Sequence, residues 1–223
     1  MYKRQEVLNT LCEKFTFPDR VEAENRVNPI DTPVSETKYV EAKANVQTSY
    51  LMFGWLGPKA NDLKATICLD LISIIFGDGS SSRLQQNLIE KLPEQIFNMI
   101  GSEHYQFKDG NNFFIQANFN SDSKDRAIEL VKLELANLLN VKITDEELSK
   151  AKKRTKSRFA DSAETVSEIG ETIGYYMTVC EDLKLIEEYL ADLDSITVED
   201  LEDNIKKYLS LENAVISVLE PQE

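Results

Sequence analysis

The 223-residue sequence predicts an α+β fold, a mainly antiparallel sheet with helices packed on one face. Three observations carry that prediction. Apolar, β-branched and aromatic runs come in pairs, two before residue 57 and two on either side of an Asp109-Gly110 dipeptide, with a last run near the C-terminus. Between them lie segments whose apolar residues recur every three to four positions. A hydrophobic content of 42% over this length suffices to bury a sizeable core.

Taken in order, Val7, Leu8, Leu11 and Phe15 stand at helical spacing until Pro18 ends the run. So short a helix cannot bury its stripe alone, and residues 1–18 read as the closing helix of a truncated upstream domain. Residues 19–36, with Pro29 and Pro33 and no apolar period, have linker composition, which leaves 37–223 as the domain proper. TKYVEAK (37–43) and QTSYLMFGWL (47–56) predict strands. LKATICLDLISIIF (63–76) predicts a buried helix; with Lys64 and Asp70 inside it, it falls short of the ~20 residues a bilayer requires.

The stretch FGDGSSSRLQQNLIEKLPEQIF (76–97) then sets a glycine and serine loop before a polar helix at 81–92, an order that a phosphate-binding loop also uses. No Gly-Lys-Ser/Thr follows, and a helix rather than a strand precedes, so a helix-to-helix turn with a serine N-cap is expected. Strands at 96–107 and 112–119 flank Asp109-Gly110, a dipeptide that tolerates positive φ in a hairpin. Ile128, Val131, Leu135 and Leu138 share one helix face, and Thr144 with Glu147 spells a capping box for the long segment after it. Thr197 with Asp200 opens another helix, and NAVISVL (213–219) predicts the closing strand. The expected order is ββααββααααβ.

Thirty-nine acidic against 25 basic side chains give a net charge of −14, which argues against nucleic acid and favours basic peptides as partners. The one basic cluster, SKAKKRTKSR (149–158), aligns Lys150, Arg154 and Arg158 on a helix face and reads as solvated surface. Cys12, Cys68 and Cys180, odd in number and far apart, fit neither a disulfide framework nor a cysteine metal site. No charged segment followed by an apolar one stands at the N-terminus, so a cytoplasmic or otherwise soluble location is expected.

His104 is the only histidine, whereas zinc requires three or four converging ligands, so His104 reads as an ordinary strand residue and no metal site is expected. No G-x-S-x-G elbow occurs. Gly170 and Gly174, with Glu168 and Glu171 interleaved, predict close packing of two water-soluble helices. The carboxylates at 145–147 and 199–203 suit helix first turns. Residue chemistry alone therefore gives no catalytic residue and no self-contained active site.

Three stretches together carry a resemblance. TSYLMFGWLGP, LISIIFGDGSSSRLQQNLIEKL and EEYLADLDSITVEDLEDNIKKYLSLENAVISVLEP resemble, in order and spacing, parts of the C-terminal domain of pitrilysin or insulinase-type zinc peptidases, the group of the mitochondrial processing peptidases. They match that domain's opening strand, its helix-loop-helix with a Ser-Arg-Leu signature, and its closing helix and strand. The likeness covers residues 31–223, and EVLNTLCEKFTFP is similar to the helix that closes the family's N-terminal domain. The resemblance implies a metallopeptidase-like, ferredoxin-like-derived α/β sandwich. It also implies zinc in an upstream N-terminal domain through an H-x-x-E-H motif, a homo- or heterodimer, and extended peptides as substrates. Some C-terminal domains add an Arg and a Tyr that hold the substrate carbonyl. Aligned on Ser82-Arg83-Leu84, those positions fall on Ile89 and Ile96, both apolar. A non-catalytic half that walls a peptide chamber is the function implied; a structural or assembly subunit, or an independent binding module, is the alternative.

Overall fold

The computed structural model describes residues 2–15 and 31–222. Two compact units separate at Ile30/Asp31. The first holds the helix α1 (Tyr2–Lys14), on which Val7, Leu8 and Leu11 are exposed. The expected stop at Pro18 and the linker up to residue 30 lie outside the described residues.

The second unit runs β1 (Lys38–Ala44), β2 (Ser49–Leu56), α2 (Leu63–Gly77), α3 (Arg83–Gln85), β3 (Phe97–Tyr105), β4 (Asn112–Phe119), α4 (Lys124–Asn140), α5 (Asp145–Asp161), α6 (Val166–Tyr175), α7 (Lys184–Ser195), α8 (Val198–Tyr208) and β5 (Val215–Pro221). The sheet order is β1-β5-β2-β4-β3, antiparallel at every pairing but β1 with β5. Period-two alternation puts Leu51, Phe53 and Trp55 of β2, Phe113, Ile115 and Phe119 of β4, and Ile216 and Val218 of β5 on one buried face. Against that face lie α2, apolar through most of its length, Val131 and Leu135 of α4, and Leu201 and Ile205 of α8, all in one core. Burial in this core pushes the Cys68 thiol up to about 12, so it behaves as a small apolar side chain.

Both expected capping boxes form, at Thr144/Glu147 and Thr197/Asp200. Two expectations need correction. Five helices, not four, separate β4 from β5, because a third capping box at Thr165/Glu168 restarts the helix after Asp161 and Glu181, at φ 59°, turns the chain again. The helix expected over 81–92 is a single α turn that widens into a π turn at Gln86–Glu90, closed by Lys91 N–H donating to the Gln86 carbonyl, just before Pro93.

Candidate functional site: a groove on the open edge of the sheet

Among the described residues, strand β3 pairs only with β4, so its other edge borders the sheet. The C-terminal end of α2 crosses that edge. Gly77 backs onto Gly101 and Ser102 so closely that a methyl group there would overlap the Ser102 backbone nitrogen. Ser102 Oγ donates to the Ser73 carbonyl at 3.0 Å, fixing the crossing. Along the edge runs a groove of about 650 Å³, lined by Met99 to Tyr105 of β3, Asp70 and Asp78, Arg158 and Phe159 of α5, and Tyr189 of α7.

Asp70 organises its floor. Oδ1 lies 2.7 Å from His104 Nδ1, Oδ2 accepts from the Tyr189 hydroxyl at 2.8 Å, and Gln106 Nε2 donates to both oxygens at 3.0 Å. The Tyr175 hydroxyl in turn bonds Gln106 Oε1. Burial, reinforced by the Asp70 charge, drives the Tyr189 hydroxyl far above its ordinary value, so it remains a donor. The His104 side chain is 1% exposed, and its Nε2 has no partner among the described residues. His104 is thus a packed strand residue, as expected, held by Asp70 across the helix-sheet seam and not by its neighbour Glu103, which accepts from Gln116. Asp70 is legible in sequence as the one carboxylate in an apolar helix, but its partners stand 34 and 119 residues away, and no local pattern joins them.

The glycine and serine loop leaves the groove at Gly77 and Asp78, which line it. Gly79 sits at φ +94°, and the Arg154 guanidinium fills the space its side chain would take. Arg154 donates to the Asp78 carbonyl and carboxylate at 3.0 and 2.8 Å, and Arg158 reaches the other carboxylate oxygen at 2.6 Å. Arg83 clasps Glu147 through two bonds of 2.7 and 2.9 Å and also reaches the carbonyls of Val141 and Lys142. Burial would raise the Glu147 carboxyl, but Arg83 and Thr144 outweigh it and hold the group below the usual carboxylate range. The loop is therefore a clamp between α2 and α5. Two expectations change with it: Arg154 and Arg158 are structural pins and not only a solvated face, and Ser82 occupies the N-cap position while its buried hydroxyl makes no capping bond.

Ile89 packs half-buried against the core and Ile96 lies within it; neither lines the groove. Gly170 and Gly174 have no heavy atom within 4 Å of where a side chain would begin, so the close helix packing expected there does not occur among the described residues. Among those residues no three His, Cys, Asp or Glu side chains converge as a metal site, and no helix is long and apolar enough to cross a membrane. A structural or catalytic zinc takes three or four protein ligands, and the described residues bring no such set of donors together around the single imidazole.

A mixed sheet with helices on its inner face and an acid-rich open edge defines the class, and comparison gives the family. Residues 3–155 match the Peptidase M16 inactive domain, and the chain belongs to that family. It is 29% identical to the zinc protease PqqE of Helicobacter pylori over 183 residues, covering 80% of this chain and 40% of the relative. It is 26% identical to an uncharacterized zinc protease of Rickettsia felis, again covering 40% of the relative. The fold is similar to the crystal structure of a Helicobacter pylori protease, with a TM-score of 0.81 and 23% identity over 99% of this chain and 52% of that one. A Pseudomonas fluorescens peptidase M16 inactive domain gives a TM-score of 0.73 at 20% identity over 84% of this chain and 44% of that one. The fold class and the family resemblance read from sequence are both borne out. The chain spans about 40% of the length of these curated relatives.

Proposed function

We propose that this chain is the non-catalytic half of an insulinase-type zinc peptidase, walling a chamber for extended peptides and supporting a zinc-binding lobe encoded upstream. The observation that supports it is the groove on the β3 edge, in a chain of the inactive-domain family. On either side of the Gly77 contact, an edge strand offers backbone N–H and C=O groups to which an extended peptide adds as a further strand. Asp70 and Glu103 stand along the groove, where Asp78 is already paired with Arg154 and Arg158, and the −14 net charge draws basic peptides to the chain. Apolar Ile89 and Ile96 donate no hydrogen bond, so this half grips substrate without stabilising the reacting carbonyl, which falls to the zinc lobe or a partner subunit.

Titration of isotopically labelled chain with a ten-residue Lys/Arg-rich peptide tests the assignment. Saturable amide shifts over Met99 to Tyr105 are expected, weakened by Glu103→Lys and smaller for an acidic peptide of equal length. No shifts at millimolar peptide, or shifts confined elsewhere, would overturn the groove assignment. The apolar side chains at positions 89 and 96 favour a second reading, a structural or assembly subunit. That reading expects the silent titration.

A further inference from the structure

Helices α5, α6 and α7 line a second cavity, of about 360 Å³, which shares Asp70, Phe159 and Tyr189 with the groove. Its walls are aromatic. Phe159 and Tyr189 stack nearly parallel, 11° apart with ring centroids at 6.1 Å, and Tyr175 meets Tyr176 edge to face at 5.2 Å. Burial keeps all three hydroxyls un-ionised, pushing Tyr176 up to about 12 and Tyr175 and Tyr189 higher. The negative charge comes from carboxylates. Asp70 stands where the two spaces meet, Glu168 is half-buried, and Glu171 is exposed at the rim. Glu168 uses only Oε2, in the Thr165 capping box, and the Glu171 carboxylate has no hydrogen bond or ion pair among the described residues. None of the residues lining the cavity is Lys, Arg or His, whereas Asp78 in the groove already holds two arginines.

We propose that this cavity binds the side chain of an arginine, presented by a peptide whose backbone lies along the β3 edge; the peptide's part in this rests on the groove reading above. Aromatic faces attract cations, and rings set around one space do so with water largely excluded. A guanidinium is flat and weakly hydrated, so it lies against ring faces and still offers N–H donors to the Glu168 and Glu171 carboxylates at the rim. An ammonium is a strongly hydrated point charge and loses more on entering. An apolar side chain would touch the rings but answer none of the carboxylates, and an anion would be repelled by all three. The volume lies at the lower end of the roughly 300–1,000 Å³ of ligand pockets, which suits one long side chain and not a folded segment. Backbone pairing at a sheet edge gives a peptide affinity, and a neighbouring side-chain pocket gives it selectivity.

Titration of the full chain, isotopically labelled at its aromatic rings, with Nα-acetylarginine amide tests the cavity apart from the groove. Saturable ring shifts at Tyr175, Tyr176 and Tyr189 are expected, with a Kd of roughly 1–10 mM, the scale of one small cation among aromatic faces. The lysine analogue should bind about threefold more weakly, and the citrulline analogue, the same shape without the charge, at least about tenfold more weakly. Glu171→Lys should raise the Kd about fivefold with the melting temperature unchanged, because the residue is exposed and unpaired. With a ten-residue peptide carrying one arginine, the same ring shifts should accompany the β3 amide shifts. Ring shifts with the arginine probe but silent β3 amides with the peptide would sink the groove reading and leave the cavity site standing. No ring shifts with the probe at tens of millimolar, citrulline binding as well as arginine, or binding indifferent to Glu171→Lys would overturn the cavity site.

Discussion

Asp70 holds the groove floor because three donors from β3, the chain just after it, and α7 converge on one carboxylate inside a helix that is otherwise apolar. Removing an acceptor that buried donors share leaves each of them unsatisfied. Asp70→Ala should therefore cost about 3 kcal/mol in urea unfolding, and Tyr189→Phe, which removes one donor, about 1–2 kcal/mol. Equal costs for the two would show that the carboxylate does not organise the cluster. Residues of this kind are the hardest to read from sequence. The oddity of Asp70 in LKATICLDLISIIF is visible, but its meaning depends on partners that only the fold brings near. Conversely, the apolar identity of Ile96 is explained at once by its burial in the core, a reason that motif alignment cannot supply.

At the scale of elements, the seam between α2 and the edge of β3 depends on glycine. A methyl at Gly77 would collide with backbone that cannot swing aside, so Gly77→Ala should destabilise by about 3 kcal/mol or more and widen the groove, which thermal melts and hydrogen exchange on Ser102 would detect. A melting temperature unchanged by this substitution would contradict the packing. The clamp between the loop and α5 makes a milder prediction. Arg83 is 15% exposed on its side chain and bonds a carboxylate and two carbonyls, so Arg83→Ala should cost about 2 kcal/mol. Local rules made part of this level legible: two capping boxes stand where the sequence puts them, because each depends on residues three apart, and β3 and β4 pair on either side of Asp109-Gly110, although neither residue takes the positive φ that the dipeptide suggested. The π turn after Arg83 and the break between α5 and α6 escaped, the first because no local propensity marks a π turn, the second because Thr165 and Glu168 sit inside a segment with continuous helical period.

For the whole molecule, opposing titrations bound the pH range of stability. Lys124, bridging Glu41 and Glu220, pulls the Glu41 carboxyl down to about 2, and Glu147 also lies below its ordinary value. Groups lowered in the fold contribute above the unfolded carboxylate pKa, and that contribution is lost as pH falls below about 4.5. Burial raises Tyr176 to about 12 and moves Tyr189 upward as well, so their contribution is present below about pH 10 and lost above it. Unfolding free energy should be level between about pH 5 and 9 and fall on both sides, and Tyr189→Phe should flatten the alkaline fall. An alkaline limb unchanged in that variant would assign it to other groups. The family and layered architecture were legible because they rest on the long-range order of three motifs, each itself local, whereas the groove arises from strand order, which places β3 at an edge without any signal in β3 itself.

The proposed role as the non-catalytic half of a zinc peptidase is tested most directly by separating the halves. The measurement is kcat/KM for an extended basic peptide, with zinc content, for the full-length protein, for its upstream lobe alone, and for that lobe supplemented with residues 1–223. The expected result is equal zinc in the lobe and the full-length protein, no stoichiometric zinc in residues 1–223, and a kcat/KM at least ~100-fold lower for the lobe alone that recovers on supplementation, the scale of losing substrate positioning. A lobe as active alone as within the full-length protein, or one tightly held zinc on residues 1–223, would contradict it.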